Sequence, residues 1–204
     1  MSHAEGYSSV ASGRGSHAEG GYFYTDGSSS NVLGGKAIGI SSHAEGAGTV
    51  ARGSYSHAEG RGKEEKSSFT ISGDINVLTY ATSSEHDLKI GNVVRYEDIY
   101  AYVTGIPTTT SFTVSSTLSS SSSIENSYIY LVSGISFGNY THTEGLYTVA
   151  IDNQGHAEGN STISIGKQSH AEGLSTIAQG PQSHAEGYNT LAKGTRSHAE
   201  GSDT

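Results

Sequence analysis

A histidine and a glutamate two residues apart recur nine times along this chain, each time inside a five-residue segment. The segment reads Ser-His-Ala-Glu-Gly without change at 2–6, 16–20, 42–46, 56–60, 169–173, 183–187 and 197–201, and near copies occupy 141–145 and 155–159. In an extended strand, alternate side chains lie on one face, about 6.5–7 Å apart. Imidazole and carboxylate groups at that spacing can exchange a proton, bind a metal ion or act as an acid–base pair.

The uniformity of these pairs favours a structural role over a reactive one. Many equivalent His–Glu pairs make repeated weak metal sites more readily than one closed tetrahedral site. Catalysis needs an asymmetric pocket with a nucleophile or a bound water, which a uniform ladder does not offer. We therefore predict no catalytic residue, no metal site, no cofactor and no enzymatic activity. The expected structural ladder consists of His3, Glu5, His17, Glu19, His43, Glu45, His57, Glu59, His142, Glu144, His156, Glu158, His170, Glu172, His184, Glu186, His198 and Glu200.

The elements that position these pairs must repeat with them. Most successive ladder histidines are fourteen residues apart, and a fixed period of this kind indicates a repeat architecture. Counting the Ser as position 0, a second alternating run at positions 7–11 follows each pentapeptide, as in Thr-Val-Ala-Arg-Gly at 49–53. One side of each run carries only small residues. The pattern predicts an all-β fold, a parallel β-roll (β-solenoid) of thin coils with two short strands each.

Position 8 of each repeat is an aliphatic residue whose side chain is expected to point outwards. Stacked coils turn it into a ladder, and an exposed apolar ladder on a single solenoid calls for a partner. A symmetric homo-oligomer is the simplest solution, because every copy carries the same stripe. The candidates for this interface are Val10, Val50, Val149, Ile163, Ile177 and Leu191.

Composition narrows the class of protein further. Hydrophobic residues make up 33% of the 204 residues, which argues against one large apolar core. The net charge of −9 makes nucleic acid an improbable partner, and the absence of Cys excludes a disulfide scaffold. No apolar run is long enough to insert into a membrane. The chain begins and ends within the repeat, so we expect it to be part of a longer solenoid.

The repeat is interrupted twice. The step from His17 to His43 is 26 residues, two short of two coils, and residues 28–31 are expected to replace a pentapeptide there. The larger interruption predicts three parts: coils at 1–60, an inserted domain at 61–133 and coils at 134–204. Short β-rich runs separated by Gly, Asn and Pro predict that the insertion is a small antiparallel β-barrel of SH3-like size.

Five tyrosines stand out in the insertion. Ordinary strand packing would explain them, and an aromatic face that binds a carbohydrate or a protein is the sharper alternative. The receptor-binding candidates are Tyr96, Tyr100, Tyr102, Tyr128 and Tyr130. His86, the one histidine outside the repeat, is expected to be a surface turn residue.

The SHAEG coils followed by Thr-x-Ala-x-Gly strands resemble repeats of phage tail-fibre and neck-appendage proteins. They are also similar to the head repeats of trimeric autotransporter adhesins. The resemblance implies a left-handed β-roll in a homotrimer, with the position-8 residues facing the threefold axis. Arg52, Gln179 and Lys193 depart from the adhesin pattern, which has a second apolar residue at position 10. Coupled titration of the histidines would loosen such a trimer, or change its charge sharply, near pH 5–6.

The resulting hypothesis is a structural and receptor-binding segment of a phage tail fibre or appendage. A rigid trimeric shaft would display the small β domain for attachment to a glycan or protein of the host cell surface, and the chain would be located in the virion. The head of a bacterial trimeric adhesin, on the bacterial outer surface, is the alternative. A polysaccharide-degrading spike is a third, because Asp74, Glu85, Asp87, Glu97 and Asp98 offer carboxylates, although no spacing singles out a pair.

Overall fold

The computed structural model describes residues 1–25, 30–74, 77–119 and 122–204, with only the backbone described at 22–25 and 30–33. The predicted all-β class is confirmed, since the described secondary structure consists of strands. Within this part of the chain, no helix has the length and apolar character that a membrane crossing requires. The chain divides into two compact units, Met1–Lys63 with Ser133–Thr204, and Glu64–Val132.

The repeats supply short strands on both sides of the insertion. The first nine are β1 (His3–Ala4), β2 (Val10–Ala11), β3 (His17–Glu19), β4 (Tyr22–Thr25), β5 (Ser30–Leu33), β6 (Lys36–Ala37), β7 (His43–Glu45), β8 (Val50–Ala51) and β9 (His57–Ala58). The insertion forms β10 (Lys63–Gly73), β11 (Thr79–Thr82), β12 (Val93–Tyr96), β13 (Ile99–Thr108), β14 (Ser111–Val114) and β15 (Ile124–Ser133). The chain ends with β16 (Ile135–Ser136), β17 (His142–Leu146), β18 (Val149–Ala150), β19 (His156–Asn160), β20 (Ile163–Ser164), β21 (His170–Leu174), β22 (Ile177–Ala178), β23 (His184–Ala185), β24 (Leu191–Ala192) and β25 (His198–Ala199).

Two parallel sheets run through the repeats, as the predicted β-solenoid requires. The pentapeptide strands form a nine-stranded sheet in the order β1-β3-β7-β9-β17-β19-β21-β23-β25, and the second strands form an eight-stranded sheet in the order β2-β6-β8-β16-β18-β20-β22-β24. Equivalent residues of successive coils pair, so that His156 lies opposite His170 and Ile163 opposite Ile177. The register continues across the insertion, because His57 pairs with His142.

The interior of the solenoid holds small side chains only. Alanines at positions 2 and 9 pack together, with Ala18, Ala44 and Ala51 fully buried. The position-0 serine donates its hydroxyl to a backbone carbonyl three residues earlier, as Ser56 does to Gly53 at 2.6 Å. The position-7 threonine donates to the carbonyl of the preceding glutamate, as Thr176 does to Glu172 at 3.0 Å. These bonds satisfy hydroxyls whose burial would otherwise cost free energy, whereas the hydroxyls of Thr148, Thr162 and Ser183 are buried without a hydrogen-bond partner.

The glycine that ends each pentapeptide allows the coils to stack closely. Gly173 has a φ of +104°, and a Cβ placed on it would lie 2.2 Å from the carbonyl oxygen of Gly187 in the next coil. A side chain is therefore excluded both by backbone conformation and by the neighbouring coil. The bare strip of glycines lies beside the glutamates of the ladder.

The first interruption is one coil with a hairpin, and the expected pair of shortened coils is wrong. β3 pairs directly with β7, and β6 pairs with both β2 and β8, so 17–43 contains a single coil. The antiparallel strands β4 and β5 extend from the turn between its two strands. Twelve residues exceed one period, and the described ones among them, 22–25 and 30–33, form this hairpin instead of a replaced pentapeptide. Residues 28 and 29 of that expected replacement lie outside the described residues.

The inserted unit is a closed antiparallel barrel with the strand order β10-β11-β14-β13-β12-β15, which confirms the predicted small barrel. Phe69, Ile71, Tyr80 and Phe112 lie in its core. The unit begins at Glu64 rather than at 61. The difference arises because Arg61 still hydrogen-bonds to neighbouring coils, donating from its N–H to Gly145 and accepting from Tyr147, both at 2.8 Å.

Candidate functional site

The candidate site is the outer face of the pentapeptide sheet, where the glutamates join successive coils. Within one coil, Nε2 of His170 lies 3.8 Å from Oε2 of Glu172. The other oxygen of Glu172, Oε1, lies 3.9 Å from Nε2 of His184 in the next coil. Glu158 and Glu186 bridge consecutive histidines in the same way, at 3.6–3.8 Å. The structure thus brings the ladder residues together as expected. The bridging between coils is a feature that the two-residue spacing alone did not reveal.

The imidazole rings form one stack along the same face. Centroids of neighbouring rings are 4.7–4.9 Å apart, and from His17 to His198 the rings are parallel within 5°. The seven interior histidines from His17 to His184 have a buried Nε2 atom without a hydrogen-bond partner. A carboxylate at 3.6–3.9 Å is too distant for a normal hydrogen bond. The interior Nε2 atoms are therefore close enough to the carboxylates for an electrostatic interaction, but they make no direct hydrogen bond with them.

Burial lowers the pKa of two interior imidazoles, those of His57 and His156. The pKa of His156 is lowered to about 4, first by burial and then by the neighbouring rings of His170 and His142, against the opposing effect of Glu172. Burial also lowers the pKa of His57, followed by the effects of His142 and His43. The shift at His156 places its protonation below the expected range of pH 5–6.

The ladder has the donor atoms of a metal site without the geometry of one. Triads such as His156, Glu158 and His170 have ligand atoms within 4.8 Å of one another. The two rings of a triad are parallel, so the lone pairs of their Nε2 atoms point in the same direction and do not converge on one ion. Zinc requires convergent nitrogens at about 2.0–2.1 Å. Two adjacent imidazoles of this stack therefore do not fit a common metal ion.

Two open grooves follow the glutamates and the bare glycine strip. One, of about 820 Å³, is lined by Glu144, Glu158, Glu172, Glu186 and Glu200 and by the glycines that follow the last four of them. The other, of about 550 Å³, is lined by Glu5, Glu19, Glu45 and the glycines beside them. Both are acidic and open along their length. The five carboxylates considered for a degrading activity, Asp74, Glu85, Asp87, Glu97 and Asp98, are all exposed and line neither groove.

The position-8 ladder is exposed at its ends and buried in its middle. Val10 and Leu191 are 48% and 43% exposed, whereas Val50 and Val149 are 2% and 3% exposed. The expectation of a continuously exposed stripe is therefore wrong for its middle. Val50 and Val149 both pair in register with Ile135, which is also fully buried. Ile163 is at the limit of burial, and Ile177 is partly exposed.

The five candidate tyrosines do not form one exposed face. Tyr128 is 46% exposed, and Nζ of Lys66 lies 3.8 Å from its ring centroid. Tyr130 and Tyr102 are partly buried, and the guanidinium of Arg95 lies 4.6 Å from the ring of Tyr130. Tyr96 packs against the barrel core, and Tyr100 is buried with 6% of its surface exposed. Of the five tyrosines, Tyr128 alone is exposed.

His86 is a packed residue of the barrel rather than a surface turn residue. Its ring lies 5.8 Å from those of Phe69 and Phe112. Its Nδ1 accepts a hydrogen bond from the N–H of Leu88 at 3.3 Å, and its Nε2 lies 3.2 Å from the carbonyl oxygen of Ser111. This packing could not be predicted from the sequence, because Phe112 is distant along the chain.

Known proteins resemble parts of this chain. A family model described as the YadA head domain repeat (2 copies) matches residues 4–22, 37–56, 157–178 and 171–197. No curated protein matches the chain. Among solved structures, the Gp54 tailspike of Acinetobacter baumannii bacteriophage AP22, in complex with A. baumannii capsular saccharide, has a TM-score of 0.30 and 8% identity. That alignment covers 92% of this chain and 33% of the tailspike, and a similarity of this size supports no argument about fold or function. The repeats themselves are thus similar to those of adhesin heads.

Proposed function

We propose that this chain is a structural attachment segment, in which a self-associating β-solenoid shaft displays the inserted barrel to a host surface. The observation that carries this proposal is the unbroken ladder across the insertion, with His57 in register with His142. A shaft that keeps its coil stacking while carrying a separate folded unit is suited to display rather than to catalysis. A phage tail fibre or appendage, part of the virion, is the structure in which we place it.

Self-association as a homotrimer is part of the proposal. Of the aliphatic residues at position 8, Val10, Ile177 and Leu191 remain accessible in the single chain, with Ile163 at the margin. Exposed apolar side chains repeated along a sheet favour contact with another copy of the same sheet. The adhesin-type repeats at 157–197 include three of these four residues and support the same arrangement.

The head of a bacterial trimeric adhesin is the second candidate. The match of four segments to the YadA head domain repeat favours it. Both candidates share the shaft, the trimer and a non-enzymatic role, and they differ in the surface that is bound. The partner in either case is a cell-surface glycan or protein. Tyr128 with Lys66 is the one exposed tyrosine pair that we retain for receptor contact.

Light scattering coupled to size exclusion tests the self-association. We expect about three times the chain mass of 21.2 kDa. A monomer would contradict the trimer and leave the accessible aliphatic residues without their proposed role.

Attachment is tested with the barrel removed and the shaft intact. Binding of the labelled chain to bacterial cells and to immobilised animal-cell matrix is compared with that of a variant lacking residues 63–133. Loss of binding in the variant is expected. Retained binding would move attachment from the barrel to the shaft. Binding to bacteria supports the tail-fibre setting, and binding to matrix alone would favour the adhesin head.

A further inference from the structure

Two tyrosines stack on a turn of the solenoid, although the insertion separates them in the chain. The ring centroids of Tyr55 and Tyr140 lie 5.2 Å apart, and the rings are parallel within 7°. The two residues are 56% and 60% exposed. The N–H of Tyr140 donates to the carbonyl oxygen of Ser54 in the preceding coil at 2.9 Å, so the stacking of coils brings the pair together. The two rings form an open aromatic surface, which we call the tyrosine platform.

The backbone at these two positions is unfavourable for tyrosine. Tyr55 and Tyr140 have φ values of +56° and +57°, in the left-handed region where a bulky side chain is rare. The next three coils have Gln154, Gln168 and Gln182 at the same position, with φ from +58° to +63°. The fold therefore accepts a polar residue there, and burial does not explain the tyrosines because they are exposed. Backbone strain of this kind is typical of functional sites.

Two asparagines on the same turn present amide groups of fixed orientation. Oδ1 of Asn139 accepts a hydrogen bond from the N–H of Ser54 at 2.8 Å, and Oδ1 of Asn153 accepts one from the N–H of Asn139 at 2.9 Å. Each Nδ2 is left as a donor group. Both asparagines are exposed, and neither Nδ2 makes a hydrogen bond within the described residues. Asn139 immediately precedes Tyr140, and Asn153 is the equivalent residue of the next coil, so the donors lie beside the tyrosine platform.

We propose that this turn binds a pyranose sugar of a glycan. Tyr55 and Tyr140 provide the stacking surface, because a pyranose has a face of C–H groups that packs against an aromatic ring. The Nδ2 groups of Asn139 and Asn153 donate to the sugar hydroxyls, and a few placed polar groups of this kind fix the orientation of a ligand. A nucleobase also stacks on tyrosine, but the net charge of −9 disfavours a nucleic acid strand.

The later coils show why the site belongs to these coils and not to the whole turn. Nε2 of Gln182 donates to Oε1 of Gln168 at 3.3 Å, and Nε of Arg196 donates to Oε1 of Gln182 at 3.1 Å. These side chains use hydrogen-bonding groups on one another and offer no aromatic surface. The inference goes beyond the proposed function, because it gives the solenoid a ligand of its own whether or not the barrel attaches to a host.

Saturation-transfer NMR of the whole chain with simple sugars tests the proposal. The probes are methyl β-D-galactopyranoside and methyl β-D-glucopyranoside, and sorbitol is the control that has hydroxyls without a pyranose face. For one open site and a ligand of this size, we expect a dissociation constant on the order of 1 mM. At least one pyranoside is expected to bind more tightly than sorbitol. Equal binding of sorbitol and both pyranosides would overturn the proposal, as would no binding of either pyranoside.

Substitution by glutamine removes the platform while keeping a residue that this turn accepts. Tyr55→Gln with Tyr140→Gln is expected to weaken pyranoside binding by about tenfold. Tyr188→Gln is the matched control, because Tyr188 is 51% exposed on the other turn and pairs with Leu174. The control is expected to bind as the unmodified chain does. Unchanged binding in the double variant, or an equal loss in the control, would contradict the tyrosine platform as the site.

A second double variant tests the donors. Asn139→Asp with Asn153→Asp keeps an oxygen for each backbone N–H and removes both Nδ2 groups, so pyranoside binding is expected to weaken by about fivefold. Unchanged binding would show that the asparagines do not contact the sugar and would overturn their part of the site. Binding of a proline-rich peptide to the tyrosine platform, with no binding of either pyranoside, would assign the platform to a protein partner instead.

Discussion

At the scale of single residues, glycine is subject to different constraints at different positions of the repeat. Gly173 and Gly201 share nearly the same positive φ, but of these two only Gly173 has an atom of another coil within 4 Å of an added Cβ, and Gly194 has neither constraint. A Cβ on Gly201 would meet no atom within 4 Å, and one on Gly194 would meet its nearest atom at 3.6 Å. The three glycines therefore distinguish the cost of conformation from the cost of contact.

We predict a graded response when each of these glycines is replaced by alanine. Gly173→Ala combines an unfavourable φ with a collision and is expected to destabilise by at least about 3 kcal/mol. Gly201→Ala retains only the conformational term, about 1 kcal/mol. Gly194→Ala should be neutral or slightly stabilising. Denaturant midpoints measure the stability of the three variants. Equal losses of stability would show that contact between coils does not exclude a side chain at Gly173.

Acid is predicted to destabilise the chain through the buried histidines. The pKa of His156 is about 4 in the folded chain, against 6.5 as its ordinary value. Between these values the unfolded chain binds the proton and the folded chain does not, so the free energy of unfolding falls as the pH decreases through this window. It is constant above the window with respect to this group. Urea unfolding at pH values across the window measures the effect, and equal stability throughout would contradict it.

At the scale of elements, one turn of the coil accepts both insertions. The hairpin β4–β5 and the barrel each leave the solenoid between the pentapeptide strand and the second strand of a coil. At the barrel, a Cβ on Gly134 would lie 2.3 Å from the Cα of Gly62, so the chain leaves and returns at adjacent points. The two residues that flank the insertion, Gly62 and Gly134, are therefore in contact, and this contact completes the coil.

Removal of residues 63–133 is predicted to leave a folded solenoid. Joining Gly62 to Gly134 restores fourteen residues between Ser56 and the next position-0 residue, Thr141, measured across the junction. Removal of 61–133 is the matched control, because it leaves a coil two residues short and deletes the bonds of Arg61 to its neighbouring coils. We expect the first variant to unfold cooperatively and the second to be less stable. Thermal unfolding followed by circular dichroism compares them, and equal stability would show that the period is not required at this turn.

Sequence reasoning was most successful where the repeat determines the structure. The period identified the two strands of each coil and the small interior residues, and the short β-rich runs between turn residues identified the barrel. It failed between His17 and His43, because a hairpin of twelve extra residues resembles a missing fragment of repeat when only the count is known. It also could not show that Glu172 bridges two coils or that Tyr100 is buried, since both depend on contacts between strands far apart in sequence.

At the scale of the whole molecule, the aliphatic ladder links the single chain to its assembly. Ile177→Asp is predicted to weaken the trimer while the single chain remains folded, because Ile177 is partly exposed. Val149→Asp is the contrasting variant, since an unpaired charge at a buried site costs several kcal/mol in the folded chain itself. Mass by light scattering and unfolding curves separate the two outcomes. If the Ile177→Asp variant is an unfolded monomer, the assignment of Ile177 to the interface is contradicted.

The shared insertion turn has a consequence for how such a chain can change. Every coil has an equivalent turn, and among the described coils this turn carries an insertion twice. The two insertions differ greatly in size, since one is a hairpin and the other a barrel. Because the coils on either side of each insertion pair with one another in register, loss or exchange of an insertion need not disturb the other coils. New domains could be acquired by recombination at any of these turns, each offset from the next by one coil spacing of about 4.8 Å. The solenoid would then stay the same while the inserted domains diversify.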